Sequence, residues 1–180
     1  MHKTIVASFL LLPLLVSAGC GKSLSVLDQL AASGSIQEDA PIKTYLQIEI
    51  DARATKVWQL LTDAASWPKW QRDIESVKVA GPLAKGTRFS WRMGGTNIHS
   101  QVQLFEPEHR LGWTGTAMTA KAVHIWELRS ESPGHTLVIM KESMNGPWMA
   151  RIYPSEKLSQ ADRSWLEALK KAAEAHGSSN

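Results

Sequence analysis

Six stretches typical of β-strands follow one another between residues 74 and 144, and this run constrains the fold more than any other feature. Turn residues such as Gly94-Gly95 and Ser132-Pro133-Gly134 separate each stretch from the next. The predicted strands span residues 74–79, 87–93, 98–106, 111–116, 122–130 and 136–144. Because the connections are short, we expect neighbouring strands to pair antiparallel in one sheet. One face of such a sheet needs an apolar partner to cover it.

The longest helical pattern in the chain supplies that partner and spans residues 155–176. One face of this predicted helix is apolar and contains Leu158, Ala161, Trp165, Leu166, Leu169 and Ala173. The other faces contain Asp162, Arg163, Glu167, Lys170 and Lys171. Gly177 is a suitable residue to end the helix, which leaves residues 178–180 as a frayed tail.

A further strand and two short helices precede the run of strands. Residues 43–51 predict the strand, and Thr55 is a candidate N-cap for a helix whose apolar stripe includes Val57 and Trp58. A second short helix is expected over residues 64–70, interrupted at Pro68. The whole order predicts an α+β fold over residues 42–177. In this fold a seven-stranded curved antiparallel sheet surrounds the C-terminal helix, and the gap between them can hold a cavity.

Composition and motifs exclude several classes of function. The chain has 180 residues, of which 20 are Lys or Arg and 17 are Asp or Glu. Because the basic excess is small and no basic run exceeds two residues, we expect no nucleic-acid partner. The six His residues show no helical metal-binding spacing, and no phosphate-binding or nucleotide-binding glycine motif occurs. We therefore expect neither a metal centre nor a cofactor, and the domain size suggests a monomer.

The first twenty residues have the pattern of an export signal. Lys3 precedes an apolar run over residues 5–16, which is too short to span a bilayer, and the run ends in Ser17-Ala18-Gly19-Cys20. This ending resembles the cleavage box of bacterial lipoproteins, and Cys20 is the only Cys of the chain. The resemblance implies removal of residues 1–19 and lipidation of Cys20. Because Gly21 and not Asp follows the Cys, it also implies the periplasmic face of the outer membrane. The alternative is an ordinary signal peptide with an incidental Cys.

Residues 20–41 predict a flexible tether, because Ser, Gly and Ala are frequent there. The alternative is a short helix that docks on the domain, since Leu24, Leu27 and Leu30 recur at every third position.

Several short sequence motifs in the domain resemble those of one known superfamily. They are residues 48–58, Trp67-Pro68-Lys69-Trp70, Leu83-x-x-Gly86-x-x-Phe89-x-Trp91, Leu111-x-Trp113-x-Gly115, His124-x-Trp126-x-Leu128, and Gly134-x-Thr136 followed by Glu142. Their order and spacing resemble the START-related (SRPBCC) helix-grip superfamily, in its polyketide cyclase/dehydratase-like branch. The resemblance implies a central hydrophobic pocket for a lipid-like or aromatic ligand. It implies no single activity, because the superfamily includes lipid carriers, quinone-binding proteins, cyclases and chaperone regulators.

Strand alternation predicts which side chains face the C-terminal helix. Large apolar residues share the predicted inner faces, whereas Glu127, Arg129 and Lys141 lie on the outer, solvent-facing side. On the strand over residues 98–106, we expect Ser100 and Val102 to point inward. The candidate ligand-binding residues are Phe89, Trp91, Met93, Trp113, His124, Trp126, Met140, Glu142, Met144, Trp148 and Trp165. They form either a ligand pocket or a closed core.

His124 and Glu142 are the only titratable residues on the predicted inner faces. They are candidates for a general acid and base, or for a buried pair in which each satisfies the other. Trp148 follows the last strand and is a candidate for the mouth of the cavity, or simply packs the loop.

Three functional hypotheses follow from these features. The first is a membrane-tethered protein that binds a hydrophobic small molecule or lipid in the cavity. The second is an enzyme of the cyclase, dehydratase or isomerase type that uses His124 and Glu142. The third is an envelope protein-interaction module with a filled core.

Overall fold

A computed structural model describes residues 21–175 of the chain. Seven strands form one antiparallel sheet: β1 (Ile42–Ile50), β2 (Ile74–Lys78), β3 (Arg88–Met93), β4 (Thr96–Glu106), β5 (Arg110–Ala117), β6 (Ala120–Ser132) and β7 (His135–Asn145). The helices are α1 (Leu24–Ala32), α2 (Ala54–Thr62), α3 (Trp67–Trp70), α4 (Met149–Ile152) and α5 (Ser155–Glu174), with a 3-10 turn at Ala64–Ser66. The predicted fold class is confirmed; α1 corresponds to the alternative given for residues 20–41, and α4 was not predicted. None of these helices is long and apolar enough to cross a membrane.

The sheet has the strand order β1-β7-β6-β5-β4-β3-β2. The chain returns from β1 through α2 and α3 to the far edge at β2 and then runs strand by strand back to β7, which pairs with β1. Irregular registers in the pairs β2–β3, β4–β5 and β6–β7 help the sheet to curve. Helix α5 packs against β1, α2 and α3, so that the concave face of the sheet surrounds it.

The core between the sheet and α5 is built mainly from Trp side chains. Trp67 lies at its centre, and its ring centroid lies 5.0 Å from that of Trp165 and 5.7 Å from that of Phe89. The indole nitrogen of Trp67 donates to the carbonyl of Leu61 at 3.1 Å. Large rings fill the wide space that a curved sheet leaves under a single helix, which accounts for most of the eight Trp residues of the chain. The buried Trp residues are Trp58, Trp67, Trp91, Trp113, Trp126 and Trp165.

Two local predictions for the helices differ from the structure. The N-cap of α2 is Arg53 and not Thr55, whose hydroxyl donates to the Glu108 carboxylate at 3.1 Å. Pro68 does not interrupt a helix but lies in the first turn of α3, where a proline is well tolerated.

The predicted flexible tether is wrong for the described part, residues 21–41. Helix α1 lies on the outer face of β4, β5 and β6, and Leu27 and Ala31 are buried with Ile36 against Val123 and Ile125. The outer face was expected to face solvent, but Val123 and Ile125 give β6 an apolar patch there, which α1 covers. The predicted signal segment, Cys20 and the C-terminal tail lie outside the described residues.

Two features of the sheet fit α1 closely. The Asp28 carboxylate accepts hydrogen bonds from the hydroxyl of Thr114 at 2.7 Å and from the side-chain amide of Gln103 at 3.0 Å. Gly112 leaves room for the helix, because an added Cβ there would lie 2.6 Å from Ile125 Cδ1 and 3.3 Å from the carbonyl oxygen of Ala31. The N-terminal segment is therefore part of the folded domain.

Candidate functional site

The strand registers bring the two predicted titratable residues together. Trp113 of β5 pairs with His124 of β6, His124 pairs with Glu142 of β7, and Glu142 pairs with Thr44 of β1. Because directly opposed residues point to the same face, these side chains form one row across four strands. The inward direction predicted from alternation is confirmed for Trp113, His124 and Glu142, since all three line the space between the sheet and α5; Thr44, for which no direction was predicted, is buried beside them.

His124 lies between two indole rings and binds a carboxylate. Its ring stacks on Trp113 with centroids 4.6 Å apart and on Trp126 with centroids 5.2 Å apart. Its Nδ1 lies 2.8 Å from Oε2 of Glu142. Burial lowers the pKa of His124 to about 4, and the negative charge of Asp162 only partly opposes this effect. The imidazole is therefore neutral at neutral pH.

Asp162 of α5 completes the site, although its polarity had predicted a place on the non-apolar faces of the helix. It is buried, with 4% of its surface exposed, and accepts a hydrogen bond from the Thr44 hydroxyl. The sequence did contain a signal, because Leu158, Asp162 and Leu166 recur at intervals of four and so share one helix face. Asp162 was placed on a polar face of the helix because it is acidic, although its spacing puts it on the apolar face.

The carboxyl groups of Glu142 and Asp162 hydrogen-bond to each other in the interior. Burial raises the pKa of Glu142 to about 7. Burial also raises the pKa of Asp162 well above its usual range, and the nearby charge of Glu142 raises it further. Two like charges so close together in a low-dielectric site cannot both be ionised at modest cost, so the pair retains a proton at neutral pH. We assign that proton to Asp162, which then donates to Glu142.

A proton on Asp162 determines which imidazole nitrogen of His124 can accept a hydrogen bond. The Glu142 carboxylate accepts the proton of Asp162 and the Nδ1–H of His124, so the remaining imidazole nitrogen, Nε2, has a free lone pair. Within residues 21–175, this buried Nε2 has no hydrogen-bond partner. A buried acceptor without a partner is costly and therefore marks a place where a donor can bind.

A cavity of about 110 Å³ lies beside this cluster, between the sheet and α5. Most of its wall is apolar, and the cavity is partly open to solvent. Seven predicted residues line it: Trp91, Met93, Trp113, His124, Glu142, Met144 and Trp165. Lining residues that were not among the predicted ones include Ser100, Tyr153 and Asp162.

Four predicted ligand-binding residues do not line this cavity. Phe89, Trp126 and Met140 are buried in the surrounding core. Trp148 is 76% exposed, just beyond the end of β7. Among the described residues, no group of three or more His, Cys, Asp or Glu side chains has an arrangement that could hold a metal ion.

The family model for polyketide cyclase/dehydrase and lipid transport matches residues 41–174. The chain belongs to this family. The match covers the whole sheet and helices α2 to α5, and it excludes α1, so the helix on the outer face is an addition to the part that the family model describes. The family description names two kinds of activity, cyclisation or dehydration and lipid transport. No curated protein sequence matches the chain.

Several solved structures have the same fold. A hypothetical protein from Helicobacter pylori has a TM-score of 0.67 and 20% identity, over 76% of this chain and 90% of that chain. A START superfamily protein from Mycobacterium smegmatis has a TM-score of 0.63 and 12% identity, over 74% of this chain and 97% of that chain. The ZhuI aromatase/cyclase from Streptomyces sp. R1128 has a TM-score of 0.61 and 14% identity, over 75% of this chain and 94% of that chain. At these identities the similarity concerns the fold alone.

Proposed function

We propose that this protein binds a small, largely apolar molecule in the cavity between the sheet and α5. The bound molecule has one hydroxyl, phenol or N–H group, which donates a hydrogen bond to Nε2 of His124. The observation behind this proposal is the buried Nε2 of His124, which has no partner within residues 21–175, on a residue that lines an apolar cavity.

The dimensions of the cavity limit what can bind. A dry cavity of about 150 Å³ lined by aliphatic and aromatic side chains is enough to hold benzene. The cavity here, about 110 Å³ in the ligand-free state, is of the size of one ring or a short acyl segment. A larger ligand extends through the open end, and Met93 and Met144 on the wall can adapt to its shape.

The polar cluster gives the cavity its selectivity. A ligand that lacks a donor leaves Nε2 buried and unpaired, which costs more than the hydrogen bond itself contributes. An anionic ligand is disfavoured, because the ionised Glu142 is close to the cavity and burial strengthens its repulsion. We therefore expect neutral alcohols, phenols or hydroxylated lipids to bind better than fatty-acid anions.

A second candidate function is acid–base catalysis on the bound molecule. The observation that favours it is the hydrogen bond between His124 Nδ1 and Glu142, which leaves the opposite imidazole nitrogen free to accept a proton in the cavity. The Glu142–Asp162 pair then stabilises the resulting imidazolium. In a cyclase or dehydratase reaction, this arrangement removes a proton from carbon or oxygen and later returns it.

The envelope location belongs to the proposal as well. The lipoprotein-like segment before Gly21 suggests an anchor at Cys20 on the periplasmic face of the outer membrane, and a monomer is the simplest assembly. Such a protein keeps its ligand close to the membrane.

Native mass spectrometry on the protein purified gently from its host tests the binding proposal. We expect a reproducible extra mass that organic solvent removes. Ala161→Leu, which fills the cavity from α5, should abolish this mass. The matched control is Ala172→Leu on the same helix outside the cavity, which should retain it. A ligand-free mass for the wild type, together with no binding from a panel of phenols, quinones and lipids, would contradict the proposal.

Catalysis is distinguished from simple binding once the ligand is known. His124→Gln removes the basic nitrogen while keeping a polar side chain of similar length. Loss of turnover with retained binding would support the enzyme, whereas an unchanged ligand after long incubation with the wild type would support the binding protein alone.

A further inference from the structure

Three large apolar side chains are exposed beside the end of the cavity that Ala117, Ala120 and Tyr153 line, and we infer that the cavity opens at this end. Met118 is 92% exposed, Trp148 is 76% exposed and Ile152 is 60% exposed, and these are the three most exposed large apolar residues of the described chain. Met118 lies in the turn between β5 and β6. Trp148 directly precedes α4, and Ile152 is the last residue of that helix. We call these three residues the rim. Ala117, Ala120 and Tyr153, which adjoin them in sequence, line the cavity itself.

Two of the rim residues have an energetically unfavourable backbone conformation. Met118 has a φ angle of 53° and Trp148 has a φ angle of 63°, in the left-handed region that residues other than glycine seldom adopt. Neither side chain packs into the core in return, since both remain exposed. Backbone strain that keeps a large apolar side chain exposed indicates that this side chain contacts a partner outside the domain.

The described chain begins at this same end. Gly21 lies against Asn145, the last residue of β7, because an added Cβ on Gly21 would come within 2.8 Å of Asn145 Oδ1. Asn145 pairs with Lys121, three residues after Met118, and lies three residues before Trp148. The first described residue, Gly21, therefore lies at the same end of the domain as the rim.

The polar residues around the rim are mostly basic. In residues 117–122 and 145–157, the charged residues are Lys121, Arg151, Lys157 and a single acid, Glu156. Lys and Arg near exposed apolar groups favour a surface of anionic phospholipids. Trp in particular is enriched where a protein meets the bilayer interface.

We propose that the rim contacts an anionic phospholipid membrane, so that the open end of the cavity faces the bilayer. The apolar side chains of the rim enter the interface, and the basic residues contact the headgroups. This orientation rests on the envelope location proposed above, in which Cys20, the residue before Gly21 in the sequence, carries the anchor. A ligand then moves between the membrane and the cavity without crossing bulk water. This orientation goes beyond ligand binding, because a cavity that binds the same ligand could equally face away from the membrane.

Fluorescence quenching by brominated lipids tests this orientation on the full chain. The protein is reconstituted in vesicles of phosphatidylethanolamine and phosphatidylglycerol, some of whose acyl chains are brominated. Trp148 is the single exposed Trp among the described residues, so the difference between wild type and Trp148→Phe isolates its signal. As a control at the opposite end, Ser132→Trp in the Trp148→Phe background places an indole at the exposed end of β6.

We expect brominated lipids to quench the Trp148 signal at least twofold and to leave the signal of the indole introduced by Ser132→Trp unchanged. Replacing phosphatidylglycerol by phosphatidylcholine should weaken the quenching of Trp148. Quenching at the control position alone would show that the opposite end faces the membrane, and no quenching at either position would show that the domain stands away from it. Either result would overturn the proposed orientation, and neither would affect ligand binding in the cavity.

Discussion

Replacing Asp162 by Asn tests whether a buried carboxylic acid underlies the site. An Asn side chain can donate to Glu142 and accept from the Thr44 hydroxyl, as the protonated Asp does, but it cannot exchange a proton. In the unfolded chain, Asp162 is ionised above its reference pKa of 3.8, whereas burial keeps it protonated in the folded protein. Folding of the wild type therefore takes up a proton at this residue, and folding of the variant does not.

The sign and size of the effect follow from proton linkage. Because the folded-state pKa of Asp162 is raised, its contribution to stability is fully present below the unfolded pKa and is lost as the pH rises. One proton taken up on folding costs about 1.4 kcal/mol per pH unit. Between pH 5 and pH 7, we therefore expect the wild type to lose up to about 3 kcal/mol of stability relative to Asp162→Asn, the limit for a group that stays protonated in the folded protein over this whole range.

Urea unfolding of both proteins at a series of pH values measures this difference. Leu158→Ala is a suitable control, because it enlarges the same cavity from the same helix without removing a titratable group. Its stability difference from the wild type should be independent of pH. If the difference between the wild type and Asp162→Asn were equally constant between pH 5 and pH 7, Asp162 would be ionised in the folded protein and the proton assignment would be wrong.

Other substitutions test the aromatic core and the N-terminal helix. Trp113→Ala removes a buried ring that stacks on His124, and we expect a loss of about 3–5 kcal/mol in urea unfolding; a loss below about 1 kcal/mol would show that the core is not close-packed there. Leu27→Ala should cost about 2–5 kcal/mol and should make the segment over residues 21–40 sensitive to protease; unchanged resistance to protease would argue against a docked α1. Gly112→Ala should weaken the same docking, because the added Cβ meets Ile125 and the Ala31 carbonyl.

The sheet and the long helix were predictable because their signals are local and periodic. Strand alternation and short turns identified all seven strands, and the same alternation placed His124 and Glu142 on one face. Their direct pairing was not predictable, because the register between β6 and β7 depends on the turn and on bulges near its end.

Three features escaped prediction for different physical reasons. Asp162 was assigned by its polarity, although its spacing from Leu158 and Leu166 put it on the apolar face of α5. Helix α1 was given only as the alternative to a flexible tether, because its Leu spacing is a weak local signal and its stability comes from tertiary packing on Val123 and Ile125. Whether an aromatic residue lines the cavity or belongs to the surrounding core depends on how the rings pack in three dimensions. The sequence therefore could not show that Trp113 lines the cavity whereas Phe89 and Trp126 do not.

The most direct test of the central claim compares phenol with toluene as ligands. The two molecules have almost the same size and differ in the hydroxyl that His124 Nε2 would accept. Calorimetric titration should show that wild type prefers phenol by about tenfold, the factor expected for one buried neutral hydrogen bond. His124→Leu should abolish this preference, while Met93→Leu, on the same cavity wall, should keep it. Equal affinities of the wild type for both ligands, or binding of neither, would contradict the account.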